Sequence, residues 1–168
     1  MTTATRLPPV LLLAVVLHTA VLPELRVFGV AADLLLLVGI VAGIASGADR
    51  GAAVGFVAGL LADCFLQTPF GLSALAYSLV GYGVGAFQST ILHTGRWIPV
   101  LTAMVASALG VLTFAAIGSV LGQDQLVSAR LATVAGVVAV FNGLLCWPVL
   151  RVMRWAIAPS LVARTALR

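Results

Sequence analysis

The sequence predicts an all-α membrane protein: one transmembrane domain over residues 1–168, folded as a compact bundle of six helices. Three observations carry that expectation. Hydrophobic residues make up 62% of the chain and charged residues 8%, against about 25% charged in an ordinary soluble domain. The apolar residues gather into six segments separated by short polar breaks. The nine basic residues, all arginine, stand singly in those breaks or near the C-terminus. A net charge of +4 without a basic run or stripe argues against nucleic acid as a partner. It is the pattern of membrane topology, with lipid as the surroundings.

The segments run over 7–23, 30–46, 51–66, 70–92, 97–121 and 131–150. A bilayer crossing takes about 20 residues, so the third is short and must pack tightly or be covered. In the first, Arg6 and the apolar run from Val10 to Leu17 resemble a signal peptide. No small-x-small cleavage site precedes Pro23 and Glu24, which reads as a retained helix ended by those residues and Arg26. Gly47, Asp49 and Arg50 separate the second segment from the third. Gln67, Thr68 and Pro69 make a tight hairpin before Gly71. His93, Gly95 and Arg96 form the next turn, and Trp97 takes the place of an interfacial aromatic. Gly122 to Arg130 is the longest loop, and Pro148 closes the last helix between Trp147 and Trp155.

Arginine placement then sets an orientation. With the N-terminus cytoplasmic, Arg6, Arg50, Arg96, Arg151, Arg154, Arg164 and Arg168 lie inside, and Arg26 and Arg130 outside. The positive-inside rule therefore predicts a multi-pass protein of the plasma membrane with both termini cytoplasmic. A five-helix alternative puts the C-terminal arginines outside.

Small residues mark three helices. Gly51, Gly55 and Gly59 recur every four residues, and Asp63 is next in the series. That spacing makes a smooth ridge on one helical face, ending in a carboxylate. Gly39, Gly43 and Gly47 form a second ridge, and Gly71, Ala74, Ser78, Gly81 and Gly85 a third. Such faces let helices approach closely, within the bundle or against a partner helix.

The six-helix topology puts His18, Asp33 and Asp63 at similar depth in the outer leaflet. Ionisable groups at depth are costly and have a partner or a task. Three readings are open: local pairing, as of Asp33 with Arg26; a polar cluster that fixes helices one to three or receives a partner protein; or a proton or substrate pathway. Catalysis finds no constellation. An intramembrane aspartyl protease needs Gly-x-Gly-Asp, whereas Leu60, Leu61 and Ala62 precede Asp63, and Ala31 and Ala32 precede Asp33. No serine has His–Asp partners at workable spacing. The glycine run from Gly81 to Gly85 lies inside an apolar helix, not after a strand. His18 and His93 fall on opposite sides of the membrane, and Cys64 and Cys146 lack ligand spacing and read as small apolar packing. Asn142 reads as an amide bonded to a neighbouring helix. No enzyme activity, cofactor or metal is expected.

The stretch from Asp33 to Gly85 resembles the MreD family of rod shape-determining membrane proteins. Three elements carry the resemblance: Ala32-Asp33 followed by Leu34 to Leu37; G-x-x-x-G-F-x-x-G-L-x-x-D from Gly51 to Asp63; and P-x-G-x-x-A-L-x-Y-x-x-x-G-Y from Pro69 to Tyr82. They cover about a third of the chain, and the rest agrees in hydropathy. The family often has proline before the helix-two acid, where this chain has Ala32. The arginine-, alanine- and valine-rich composition looks like a high-GC bacterial genome. The resemblance implies a non-enzymatic scaffold that acts with MreC, beside MreB, RodA and a class B penicillin-binding protein, in lateral peptidoglycan synthesis. It also implies a helical arrangement similar to the substrate-binding subunits of energy-coupling-factor vitamin transporters, a likeness of fold alone. Asp33, Asp63, His18, Gly51, Gly55, Gly59, Gly71, Gly81 and Tyr82 are the candidate partner-binding or structural residues. A vitamin-capturing transport subunit is the alternative. Such subunits resemble one another in an Ala-x-x-x-Ala pair on helix one, which Ala14 and Ala20 do not supply.

Overall fold

A computed structural model describes residues 3–21, 24, 29–65, 69–87, 97–123 and 130–157. Among them lie six helices: α1 (Thr3–Val16, continued by a wider π turn, Leu17–Val21), α2 (Leu34–Ser46), α3 (Ala48–Asp63), α4 (Leu72–Ala86), α5 (Ile98–Val120) and α6 (Leu131–Ile157). The expected breaks at Pro23, Arg26, Gln67, Thr68, His93, Gly95 and Arg96, and the terminal Arg164 and Arg168, lie outside the described residues.

The fold divides into long and short helices. α5 and α6 are long and apolar enough to cross a membrane. α2 to α4 are shorter, at 13, 16 and 15 residues, or roughly 20–24 Å against a hydrocarbon core of about 30 Å. Several ends differ from the sequence expectation, for local reasons. α2 starts at Leu34 rather than at residue 30, because Asp33 caps it: its Oδ1 accepts the Leu36 N–H at 3.0 Å. α3 starts at Ala48, because Gly47 alone makes the turn from α2, at φ 91° and ψ −178°. That conformation is open to glycine and strained for any other residue. Pro148 does not close α6, which runs through it to Ile157. A proline removes one donor, and ending the helix there would free several more backbone groups in an apolar setting.

The core is α2. Leu35, Leu37, Ile40, Val41, Ala42 and Ile44 have no exposed surface. Two of its neighbours, α3 and α4, meet it and each other backbone to backbone. A Cβ on Gly39 would stand 2.9 Å from the Gly55 Cα, and one on Gly43 2.5 Å from the Gly81 oxygen. A Cβ on Gly51 would fall onto the Gly81 carbonyl, one on Gly55 onto the Tyr77 carbonyl, and one on Gly59 onto the Ala74 backbone. Gly81 returns the contact, facing the Gly51 carbonyl. The glycine ridges thus face one another inside the bundle. Tyr82, by contrast, is 53% exposed and turns outward.

These contacts set a stability test. Gly55→Leu should destabilise by about 1–3 kcal/mol, the usual cost of overpacking, or prevent folding, because its Cβ meets backbone that cannot rotate away. Gly83→Ala should be neutral or stabilising by up to about 1 kcal/mol, since nothing lies within 4 Å of that Cβ. Thermal unfolding of the purified variants in mild detergent checks both.

Candidate functional site

Two carboxylates organise the end of the bundle where α2 begins and α3 ends. Asp63, the last residue of α3, is 4% exposed and caps the next helix across the turn. Its Oδ2 accepts the Gly71 N–H at 2.8 Å and the Ala74 N–H at 3.3 Å, and its Oδ1 the Ser73 N–H at 3.0 Å. The Leu72 N–H goes to the Pro69 carbonyl, and the Leu75 N–H to that of Gly71. Every donor of the first turn of α4 is thereby satisfied, and the negative charge sits at the positive end of the helix dipole. Gly71 holds φ at 97°, the left-handed region that suits glycine.

Asp33 joins four elements. Besides capping α2, its Oδ2 accepts the Tyr77 hydroxyl of α4 at 2.5 Å. Its main-chain carbonyl accepts Asn142 Nδ2 of α6 at 3.0 Å, and the same amide donates to Ser107 Oγ of α5 at 2.9 Å. Asn142 and Ser107 are fully buried. Ser73 and Tyr77 are one turn apart on α4, so the first turns of that helix hold both carboxylates. Asp63 is thus the last residue of α3 and not one turn inside it, and Asp33 precedes α2 and is not one turn into it.

The network fixes the depth of the site. Asn142 lies eleven residues past Leu131, roughly 16 Å along α6. Ser107 has thirteen residues of α5 beyond it to Val120, roughly 20 Å. α2 therefore starts beside the middle of the long helices, and α5 and α6 rise past it. The difference leaves a recess of about 270 Å³. Asp33, Leu36 and Tyr77 line its base, with Gly110 and Phe114 of α5, Val134 and Val138 of α6, and His18 from the π turn of α1. His18 Nδ1 is buried without a hydrogen-bond partner among the described residues, as is Asn142 Oδ1.

The structure thus brings His18 and Asp33 to one recess, and seals Asp63 in a cap at the same end of the bundle. Gly51, Gly55, Gly59 and Gly81 pack helices, and Gly71 makes the turn. The proposed Asp33–Arg26 pair lies outside the described residues. Tyr77, Ser107 and Ser73 were missed as a group, although Ser73 and Tyr77 sit at helical i, i+4 spacing on a buried face. Cys146 is buried as expected, whereas Cys64 is exposed at the end of α3.

The family model of rod shape-determining protein MreD matches residues 3–155. The chain belongs to the MreD family. A role in rod shape determination, and a place in the membrane, come with that membership. MreD is a structural shape-determining family and not a known enzyme family. The searches of curated proteins and of solved structures returned no match, so the expected likeness to vitamin-transporter subunits gains no support from comparison.

Two substitutions separate cap from network in this MreD-family chain. Asp63→Ala should cost about 2 kcal/mol or more, because three backbone donors lose their acceptor. Tyr77→Phe should cost less, about 1 kcal/mol, as is usual for one hydrogen bond between membrane helices. Thermal unfolding ranks them, and the reverse order would contradict this account.

Proposed function

We propose that this chain is a non-enzymatic, multi-pass membrane scaffold of the cell-wall elongation machinery, and that it binds MreC through the recess above Asp33. The recess is the observation that carries the reading. It is mostly apolar, with one carboxylate and one imidazole at its wall, which suits insertion of a partner's apolar side chains beside a polar anchor. Both Asp33 oxygens already accept a hydrogen bond. That favours a docking surface over a vitamin site, which would require several free polar groups.

Six spans with cytoplasmic termini fit this reading. Arg6 near the start of α1 donates to the Trp155 carbonyl near the end of α6, at 3.2 Å, so those two helix ends share one side. The arginine count makes that side cytoplasmic and the recess face outward. The short helices α2 to α4 then leave the outer leaflet to the recess and its occupant. Through MreC the scaffold would regulate lateral peptidoglycan synthesis, with MreB, RodA and the class B penicillin-binding protein in the same assembly.

Co-purification with MreC from the same organism is the test. The unchanged chain should retain MreC in mild detergent. Val134→Trp, which fills the recess without touching the Asp33 network, should lose it while keeping its unfolding temperature. Retention by that variant, or no MreC with the unchanged chain, would overturn the proposal.

A further inference from the structure

A second concave feature runs down the side of the bundle, from the level of Leu34 toward the opposite end. An apolar groove of about 320 Å³ runs between α1 and α6 over α2. Its floor is buried: Ala14, Leu34 and Val38 are no more than 6% exposed. Its rims are open, with Leu13 55% exposed and Val152 42%. It extends from Val10 on α1 to Val21 in the π turn and from Leu145 to Val152 on α6, roughly 10 Å along α6, or a third of the hydrocarbon core. Pro148 lies in its wall.

The groove ends at a cation. Arg6 lies four residues before Val10, on the same face of α1. Its guanidinium sits 5.0 Å from the centre of the Trp155 ring, three residues past Val152. Nη1 donates to the Trp155 carbonyl, but the buried Nε has no hydrogen-bond partner among the described residues. Arg151 is exposed four residues before Trp155, on the same stripe of α6. The described acid at this end, Asp49, belongs to the first turn of α3. Among the described residues no carboxylate pairs with this guanidinium, and a cation at the end of an apolar groove suits an anion joined to a hydrocarbon chain.

We propose that the α1–α6 groove is a binding site for an anionic phospholipid, with an acyl chain between the two helices and the phosphate on Arg6 and Arg151. Phosphate suits a guanidinium by charge and by paired N–H donors. Trp155 sits at headgroup level, where an amphipathic ring belongs. Charge complementarity selects the lipid over a partner helix, whose apolar surface would leave the Arg6 charge without an anion. It also sets a preference: each arginine near an anionic headgroup adds about fivefold in affinity.

The full chain in detergent, offered equal amounts of phosphatidylglycerol and phosphatidylcholine of the same chain length, tests this by native mass spectrometry. Phosphatidylglycerol should be retained in preference. Arg6→Gln should cut that preference about fivefold, and Ala14→Phe, which fills the groove floor, should lower retention of both lipids. Arg154→Gln is the control: nine residues past Leu145, Arg154 falls on the opposite face of α6, and its loss should leave the preference intact. Equal retention of the two lipids, or equal effects of Arg6→Gln and Arg154→Gln, would overturn the proposal and leave only a diffuse basic surface. Undiminished phosphatidylglycerol retention by Ala14→Phe would likewise overturn it, by placing the lipid elsewhere. Circular dichroism confirms that each variant is folded.

Discussion

Backbone contact among α2, α3 and α4 is the constraint on which the rest depends. In lipid, helices gain little from burying apolar surface against one another, because the tails are equally apolar. Close approach supplies the attraction instead. Gly39, Gly43, Gly51, Gly55, Gly59 and Gly81 remove the side chains that would hold the three backbones apart. With them in place, α4 is close enough to α3 for Asp63 to cap it, and close enough to α2 for Tyr77 to reach Asp33.

The polar groups then act as depth markers. Asp33 is held by side chains from α4 and α6, and through Asn142 it is tied to Ser107 of α5. Those bonds set the start of α2 beside the middle of the two long helices. The recess follows from that offset: three short helices stop where two long ones continue. The two ends of the bundle differ accordingly. One presents a concave, mostly apolar surface with a carboxylate and an imidazole. The other closes α1 against α6 through Arg6 and Trp155, with an apolar groove running away from the cation. Membership of the MreD family places this architecture in rod shape determination.

Much of this was legible in the sequence, because membrane helices write their packing in small residues. The four-residue glycine spacing identified the faces that meet, and the cost of ionisable groups singled out Asp33, Asp63 and His18. Four things were not legible. Tyr77 and Tyr82 both belong to the family motif, and Tyr77 is the one that faces the carboxylate; without the contacts of α4 the two phases are equivalent. Asn142 showed as an amide with some helical partner, but its acceptor is a backbone carbonyl 109 residues away, which leaves no trace in residue type. Pro148 signalled a helix end, yet the apolar surroundings make continuation cheaper than stopping. The shortness of α2 follows from the Asp33 cap, and a capping aspartate before a leucine run reads equally well as a buried acid one turn inside a longer helix.

The central claim is that the recess above Asp33 opens outward and holds a partner. Labelling with a membrane-impermeant maleimide in intact cells tests it most directly. The probe is Val134→Cys, at the recess wall, in a chain carrying Cys64→Ala and Cys146→Ala. The account predicts labelling from outside, and protection from labelling when MreC is co-expressed. Labelling only after the cells are permeabilised, or labelling that MreC leaves unchanged, would contradict it.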